Sequence, residues 1–274
     1  TDKIRLLYQE LQTRLGRELV DHVDTADWRK QPFSLFLEVS SKVRKSEVML
    51  FAPARNGLRI LPLLLLLKKD SQKLFYLVIG GWLPSVMKDN DRLKKSCSNL
   101  NGVFVETDYM LHDLEHLGLE NVEFVPNFKR FTKATMITRL NNASRVRAVF
   151  YSRVCKEKGI ELAIEAVRLV NAALGSKLTL DVIGPIKEGY EETFHNIVKF
   201  NRECVTYKGV IEPNSVNTHS YLSQYDFMIF PTLYHTEGLP GAIIDAYASG
   251  LPVVAARWDS ASCVVKEGET AKIF

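Results

Sequence analysis

Residues 235–254 read His235-Thr236-Glu237-Gly238-Leu239-Pro240-Gly241-Ala242-Ile243-Ile244-Asp245-Ala246-Tyr247-Ala248-Ser249-Gly250-Leu251-Pro252-Val253-Val254. Just before them Phe227 to Phe230 is a short apolar run that Pro231 ends, the pattern of a buried strand. Pro240 suits a first helical position, where its missing N–H costs nothing. Ala242 to Ala248 is expected to be a helix, with Gly250 just past its end in the left-handed conformation. Leu251 to Ala255 is expected to be the next buried strand. Strand, loop, helix and strand in this order make a unit of a parallel sheet. Glu237 then sits on the loop at the strand's carboxyl end, where open α/β sheets bind ligands. The N–H groups and positive dipole end of the helix beside it suit an anionic ligand such as a phosphate. Asp245 follows Glu237 by eight residues, about two turns into the helix. The two acids are thus spaced to hold different parts of one ligand.

The remaining second half repeats this alternation. Ala148 to Ser152 is expected to be a strand. It leads into Arg153-Val154-Cys155-Lys156-Glu157-Lys158-Gly159 and a helix from Ile160. Arg brings a planar fork of donors and Lys a point charge, which together suit a diphosphate. Both lie on a strand-to-helix loop at the ligand end of the sheet. Leu178 to Pro185 alternates as a strand. Tyr190 to Cys204 reads as a helix, Val205 to Val210 as a strand and Val216 to Tyr225 as a helix. A further loop and helix are expected over Asp259 to Cys263.

In the first half, Ile4 to Leu19 carries a helical apolar stripe, and Leu19 to Val23 reads as a weak strand. Asp24 to Pro32 is a polar loop. Phe33 to Val43 is expected to be a helix and Val48 to Ala52 a buried strand. Ile60 to Leu67 is the most apolar run, flanked by Arg59, Lys68 and Lys69. It falls short of the roughly 20 residues that span a bilayer. Its two readings are a helix packed on the sheet and a membrane-dipping helix, with packing the simpler. Leu74 to Ile79 is a central strand that ends on Gly80-Gly81-Trp82. This is a second ligand-side position, where the glycines admit a ligand to the backbone and Trp82 stacks on it, or else a tight turn with a packing indole. Asn90 to Leu100 is a polar helix and Gly102 to Thr107 a strand. Asp108 is expected to cap the helix Tyr109 to Leu117, which Gly118 closes. Val122 to Phe128 then leaves the first domain. Lys129 to Arg145 is polar and basic and reads as the boundary, with Lys133, Arg139 and Arg145 either facing a cleft or, the simpler reading, solvated linker charges.

A chain of 274 residues is sized for two domains, and 46% hydrophobic with 25% charged residues is the balance of a globular protein with real cores. The net charge of +4 is uneven. Residues 1–145 hold 23 Lys and Arg against 17 Asp and Glu, whereas residues 146–274 hold 13 against 15. A basic first half leaves room for contact with an anionic membrane face or acceptor. Its basic residues are not interleaved with aromatics on one element, so nucleic acid is not an expected partner. Cys97, Cys155, Cys204 and Cys263 form no C-x-x-C pair and have no His at zinc spacing, so they are expected to be reduced, mostly buried thiols of a cytoplasmic protein. No signal peptide is expected, and further residues are expected before Thr1 and after Phe274.

The run Glu237-Gly238-Leu239-Pro240, with Ala242, Asp245, Ala246, Ala248, Gly250 and Pro252-Val253-Val254, resembles the nucleotide-diphosphosugar site of glycosyltransferase family 4, enzymes of the GT-B fold. The family pattern is an acid, seven residues and a second acid, usually Glu; here the second is Asp245. Arg153 to Gly159 is similar to the family's Gly/Ser-Arg-(x)4-Lys-Gly segment, and Pro126-Asn127 to a pair that precedes its inter-domain linker. The resemblance covers residues 148 to 270 well and the first domain loosely. It implies an α/β GT-B architecture, two Rossmann-like domains with parallel sheets facing across a cleft. Residues 1–130 would be the acceptor-side domain, lacking its first strand, 131–146 the linker, and 147–274 the nucleotide-sugar domain, lacking its C-terminal end.

The resemblance also implies an activity: transfer of a hexose-type sugar from a UDP- or GDP-sugar to a glycan or lipid-linked acceptor, with retention, no cofactor and no essential metal. Surface-polysaccharide biosynthesis by a cytoplasmic, peripherally membrane-associated enzyme follows by analogy. Arg153 and Lys158 would bind the diphosphate, Asp245 the ribose and Glu237 the sugar. Amides of Gly238, Leu239 and Gly241 would line the phosphate and sugar end, and Val210 and Ile211 would hold the base or simply pack. Gly80, Gly81 and Trp82 are the sugar or acceptor side. The alternatives are a non-catalytic GT-B subunit that binds sugar nucleotide or scaffolds a complex, and a GT-B nucleotide-sugar epimerase.

Overall fold

The computed structural model describes residues 2–25, 30–53, 55–131, 146–175, 177–211 and 217–274. The chain divides into two compact units, Thr1–Lys129 and Arg130–Phe274. The linker charges at 133, 139 and 145 lie outside the described residues.

Unit 1 begins with helices α1 (Asp2–Leu15) and α2 (Pro32–Lys45). Strand β1 (Val48–Phe51), α3 (Leu61–Leu67), β2 (Lys73–Leu77), α4 (Leu83–Met87) and α5 (Asp91–Ser98) follow. The unit ends with β3 (Gly102–Val105), α6 (Asp108–His116) and β4 (Val122–Phe124). Its sheet is parallel in the order β1-β2-β3-β4. The apolar run of α3 buries Leu61 and Leu64 in the core and leaves Leu66 81% exposed. No described helix is long and apolar enough to cross a membrane.

Leu19 to Val23 is not a strand: a 3-10 turn occupies Arg17–Leu19, and the extended residues after it pair with no strand among the described residues. Leu19 is 75% exposed, so its branched side chain lacks the half-buried surface that makes a strand favourable. β1 is not buried, because it is the sheet edge; Val48 and Leu50 are exposed. The cap of α6 is Thr107 rather than Asp108, its hydroxyl accepting from the Met110 N–H at 3.3 Å.

At the carboxyl end of β3, Glu106 is buried and ties three segments together. Its Oε1 takes a bond from Lys3 Nζ of α1 at 3.0 Å, and its Oε2 from the Gly80 N–H after β2 at 3.2 Å. Removing the cation from a buried pair costs about 3–5 kcal/mol, whereas replacing both members by apolar groups is often neutral. Lys3→Met is therefore expected to lower stability in urea denaturation by an amount near that range, and Lys3→Met with Glu106→Leu to recover most of it.

Unit 2 runs β5 (Val146–Tyr151), α7 (Ile160–Leu174), β6 (Leu178–Ile183), α8 (Glu191–Phe200) and β7 (Val205–Gly209). It continues with α9 (Thr218–Leu222), β8 (Phe227–Phe230), α10 (Gly241–Ala248), β9 (Val253–Ala255), α11 (Ala261–Val264) and β10 (Ala271–Ile273). The period of two along β5 builds two cores, one on each face. Ala148 and Phe150 pack with Ile160, Ile164 and Val167 of α7, whereas Val149 packs with Met228, Ile243 and Val253. Pro240 precedes the first residue of α10 by one position, a boundary shift of the usual size. Gly250 closes that helix with φ +67.

All six strands are parallel, in the order β10-β9-β8-β5-β6-β7. Chain order therefore reverses between β5 and β8. From β5 the chain winds outward through β6 and β7, then returns through α9 to β8 and winds the other way. Loops leaving adjacent strands at such a reversal diverge and open a crevice at the strands' carboxyl ends. The four cysteines are all free. Burial pushes the Cys97 thiol up to about 12, so it is a core side chain rather than a nucleophile.

Candidate active site

Both loops at the reversal carry residues singled out in the sequence. The β5 loop, residues 152–159, presses directly on the β8 loop that begins at Pro231. The Leu233 N–H donates to the Glu157 carbonyl at 2.9 Å. Gly159 has φ +74, and a Cβ added there would lie 1.8 Å from the Pro231 carbonyl oxygen. On the other flank Gly184, after β6, has φ +141, and a Cβ there would lie 1.9 Å from the Ser152 carbonyl oxygen. Two glycines thus let three strand-end loops touch backbone to backbone.

This contact brings Lys158 onto Glu237, 79 residues away. Lys158 Nζ donates to Glu237 Oε1, and the Thr232 hydroxyl donates to the same oxygen at 2.9 Å. The two ionic side chains are 17% and 13% exposed, so the pair is mostly sheltered from water. Lys158 Nζ also lies 5.0 Å from the centre of the Tyr234 ring, within cation–π range. On the β5 loop itself, a hydrogen bond from Lys187 holds the Glu157 carboxyl down at about 2, so it stays ionised at neutral pH.

Arg153 differs from Lys158. Its guanidinium is exposed and forms no hydrogen bond or ion pair with the described residues. An exposed cation at the ligand end of a sheet, with no partner among the described residues, is available to an anion. The start of α10 adds neutral donors. Gly238 is buried, and the N–H groups of Gly238 and Gly241 have no acceptor among the described residues. N–H groups without an acceptor at the start of a helix are donors that suit an anion. Leu239 is half-buried in the same turn.

The other sequence candidates are arranged differently. Asp245 is buried in α10, with Oδ1 3.3 Å from Nε2 of His219 on α9. The Phe131 ring lies 5.4 Å from that imidazole. Val210 is 50% exposed after β7, while Ile211 packs against the core shared by β8 and β9. In unit 1, Gly80 and Gly81 turn the chain after β2, and the Trp82 indole N–H donates to the Ile79 carbonyl at 2.8 Å while its ring packs on the unit 1 core. Sequence reading missed Thr232, Tyr234 and His219. Thr232 carried one signal: it directly follows the proline that ends β8, on the loop already marked by Glu237.

Fold and site together define a class: an α/β protein of the GT-B fold, with a pair of opposite charges and an exposed arginine at the reversal of its second sheet. Residues 145–274 match the family model of the group 1 glycosyl transferases. A search of curated protein sequences finds no match. Among solved structures, that of Anabaena HepE in complex with UDP and glucose is similar at 16% identity and a TM-score of 0.66, over 89% of this chain and 68% of that one. The pneumococcal O-GlcNAc transferase GtfA in complex with UDP and GlcNAc is similar at 18% identity and 0.58, over 80% of this chain and 44% of that one. The apo form of the lipopolysaccharide outer core galactosyltransferase WaaB is similar at 11% and 0.64, over 93% and 73%. At these identities the likeness is one of fold.

Proposed function

We propose that unit 2 binds a nucleotide diphosphosugar, with UDP as the nucleotide, and that the protein transfers its sugar with retention to a glycan or lipid-linked acceptor. The observation that carries this reading is the Lys158–Glu237 contact at the β5–β8 reversal, with Arg153 on the same loop forming no ion pair among the described residues. Similar folds bound to UDP with glucose and to UDP with GlcNAc support the choice of nucleotide. In this reading Arg153 and Lys158 hold the diphosphate and stabilise the charge that grows on it as the glycosidic bond breaks. The diphosphate is thus held by side-chain cations rather than by an essential metal. Glu237 accepts a hydrogen bond from a sugar hydroxyl. Gly238 and Gly241 offer N–H groups to the phosphate and sugar end, Val210 and Ile211 flank the base, and Asp245 is the ribose acceptor. Gly80, Gly81 and Trp82 belong to the sugar or acceptor side. A role in surface-polysaccharide assembly at the cytoplasmic face of a membrane fits such acceptors.

The test is nucleotide release from UDP-glucose, UDP-GlcNAc and GDP-mannose with candidate glycan and lipid-linked acceptors, and NMR of the product's anomeric centre. The expected result is release of UDP and a product with the donor's anomeric configuration. A product of inverted configuration would contradict the retaining assignment. Tight donor binding with no transfer to any acceptor would favour a non-catalytic sugar-nucleotide-binding subunit.

A further inference from the structure

We infer that Thr232 is a positioning residue that presents Glu237 to the sugar of the donor, an inference that rests on the function proposed above. Thr232 is 3% exposed and lies just past β8, next after Pro231. Its hydroxyl has one proton and free lone pairs. A carboxylate only accepts, so the proton goes to Glu237 Oε1 at 2.9 Å, and a lone pair takes the Tyr234 N–H at 3.2 Å. Lys158 Nζ donates to the same Oε1. Two donors therefore converge on one oxygen of Glu237, while Oε2 receives none among the described residues.

This arrangement fixes the rotation of the carboxylate. Oε1 is turned into the protein, and Oε2 is the acceptor left for a ligand hydroxyl. The same threonine oxygen anchors the Tyr234 backbone, whose ring lies 5.0 Å from Lys158 Nζ. A nucleoside diphosphate without its sugar has no group for Glu237 Oε2, so Thr232 discriminates between the sugar nucleotide and the bare nucleotide.

The experiment compares Thr232→Val, which keeps the shape and removes the hydroxyl, with Thr232→Ser, which restores it. Binding of UDP, GDP, UDP-glucose and GDP-mannose is measured by calorimetry, together with kcat and KM for transfer. The expected result for Thr232→Val is an affinity for the bare nucleotide within about twofold of wild type and a loss of sugar-nucleotide kcat/KM of roughly tenfold to a hundredfold, the span for a hydrogen bond to a charged group. Thr232→Ser is expected to recover most of that loss. In a Glu237→Gln background Thr232→Val is expected to add little further loss, because it acts through Glu237. Equal losses for bare nucleotide and sugar nucleotide, or full effects in both backgrounds, would overturn the inference. A wild-type chain that binds none of the four ligands would overturn the proposed function and this role together. A wild type that binds, with a valine variant that matches it, would overturn this role alone.

Discussion

Replacement of Arg153 by alanine is expected to lower kcat/KM for the sugar nucleotide about a hundredfold to a thousandfold, the effect of removing one donor aimed at developing charge. Stability should stay within about 0.5 kcal/mol of wild type, because a surface substitution that breaks no contact rarely does more. Both halves follow from one fact: the guanidinium is exposed and has no partner among the described residues. Arg153→Lys should restore only part of the rate, since an ammonium keeps the charge but not the two-pronged donation to a phosphate. Steady-state kinetics beside thermal melts check the prediction. A fall in melting temperature with unchanged kinetics would assign Arg153 to the fold.

The opposite signature is expected at Gly159. A Cβ there would lie 1.8 Å from a backbone oxygen, and the residue has φ +74. The left-handed conformation alone costs an L-residue about 1–2 kcal/mol, and overpacking adds about 1–3 kcal/mol. Gly159→Ala is therefore expected to lose about 2–5 kcal/mol on these two counts and, by forcing the β5 and β8 loops apart, nucleotide binding as well. Gly175 is the control: φ is +57, but nothing lies within 4 Å of its added Cβ. Gly175→Ala should show the conformational cost alone and keep full binding. Equal losses at the two sites in chemical denaturation would mean that the loop contact at Pro231 contributes nothing.

The sequence was informative where chemistry and pattern coincided. The apolar runs of β2, β5 and β8 and the alternation of β6 marked strands, because each has enough buried side chains to declare its face. Gly118 and Gly250 marked helix ends through a backbone conformation that other residues avoid. Glu237, Arg153 and Lys158 stood out as charged residues on loops after strands, and the strand order then explains how residues 79 apart in sequence meet. Other features depend on partners that a one-dimensional pattern does not carry. β10 has three residues and is defined by pairing with β9, so Ala271-Lys272-Ile273 alone gave no strand signal. The exposure of β1 follows from its place at the edge, not from its composition. The His219–Asp245 contact joins two helices, and nothing in the spacing of 26 residues suggests it. Thr232 is one of many threonines until the fold puts its hydroxyl on Glu237.

Unit 2 is proposed to hold a nucleoside diphosphate at the β5–β8 reversal, and calorimetric titration with UDP, GDP and AMP tests that most directly. Wild-type protein is predicted to bind UDP at one site per chain, to bind AMP at least tenfold more weakly, and to lose UDP binding in Arg153→Ala. Absence of binding by both UDP and GDP to a chain that melts cooperatively would contradict it.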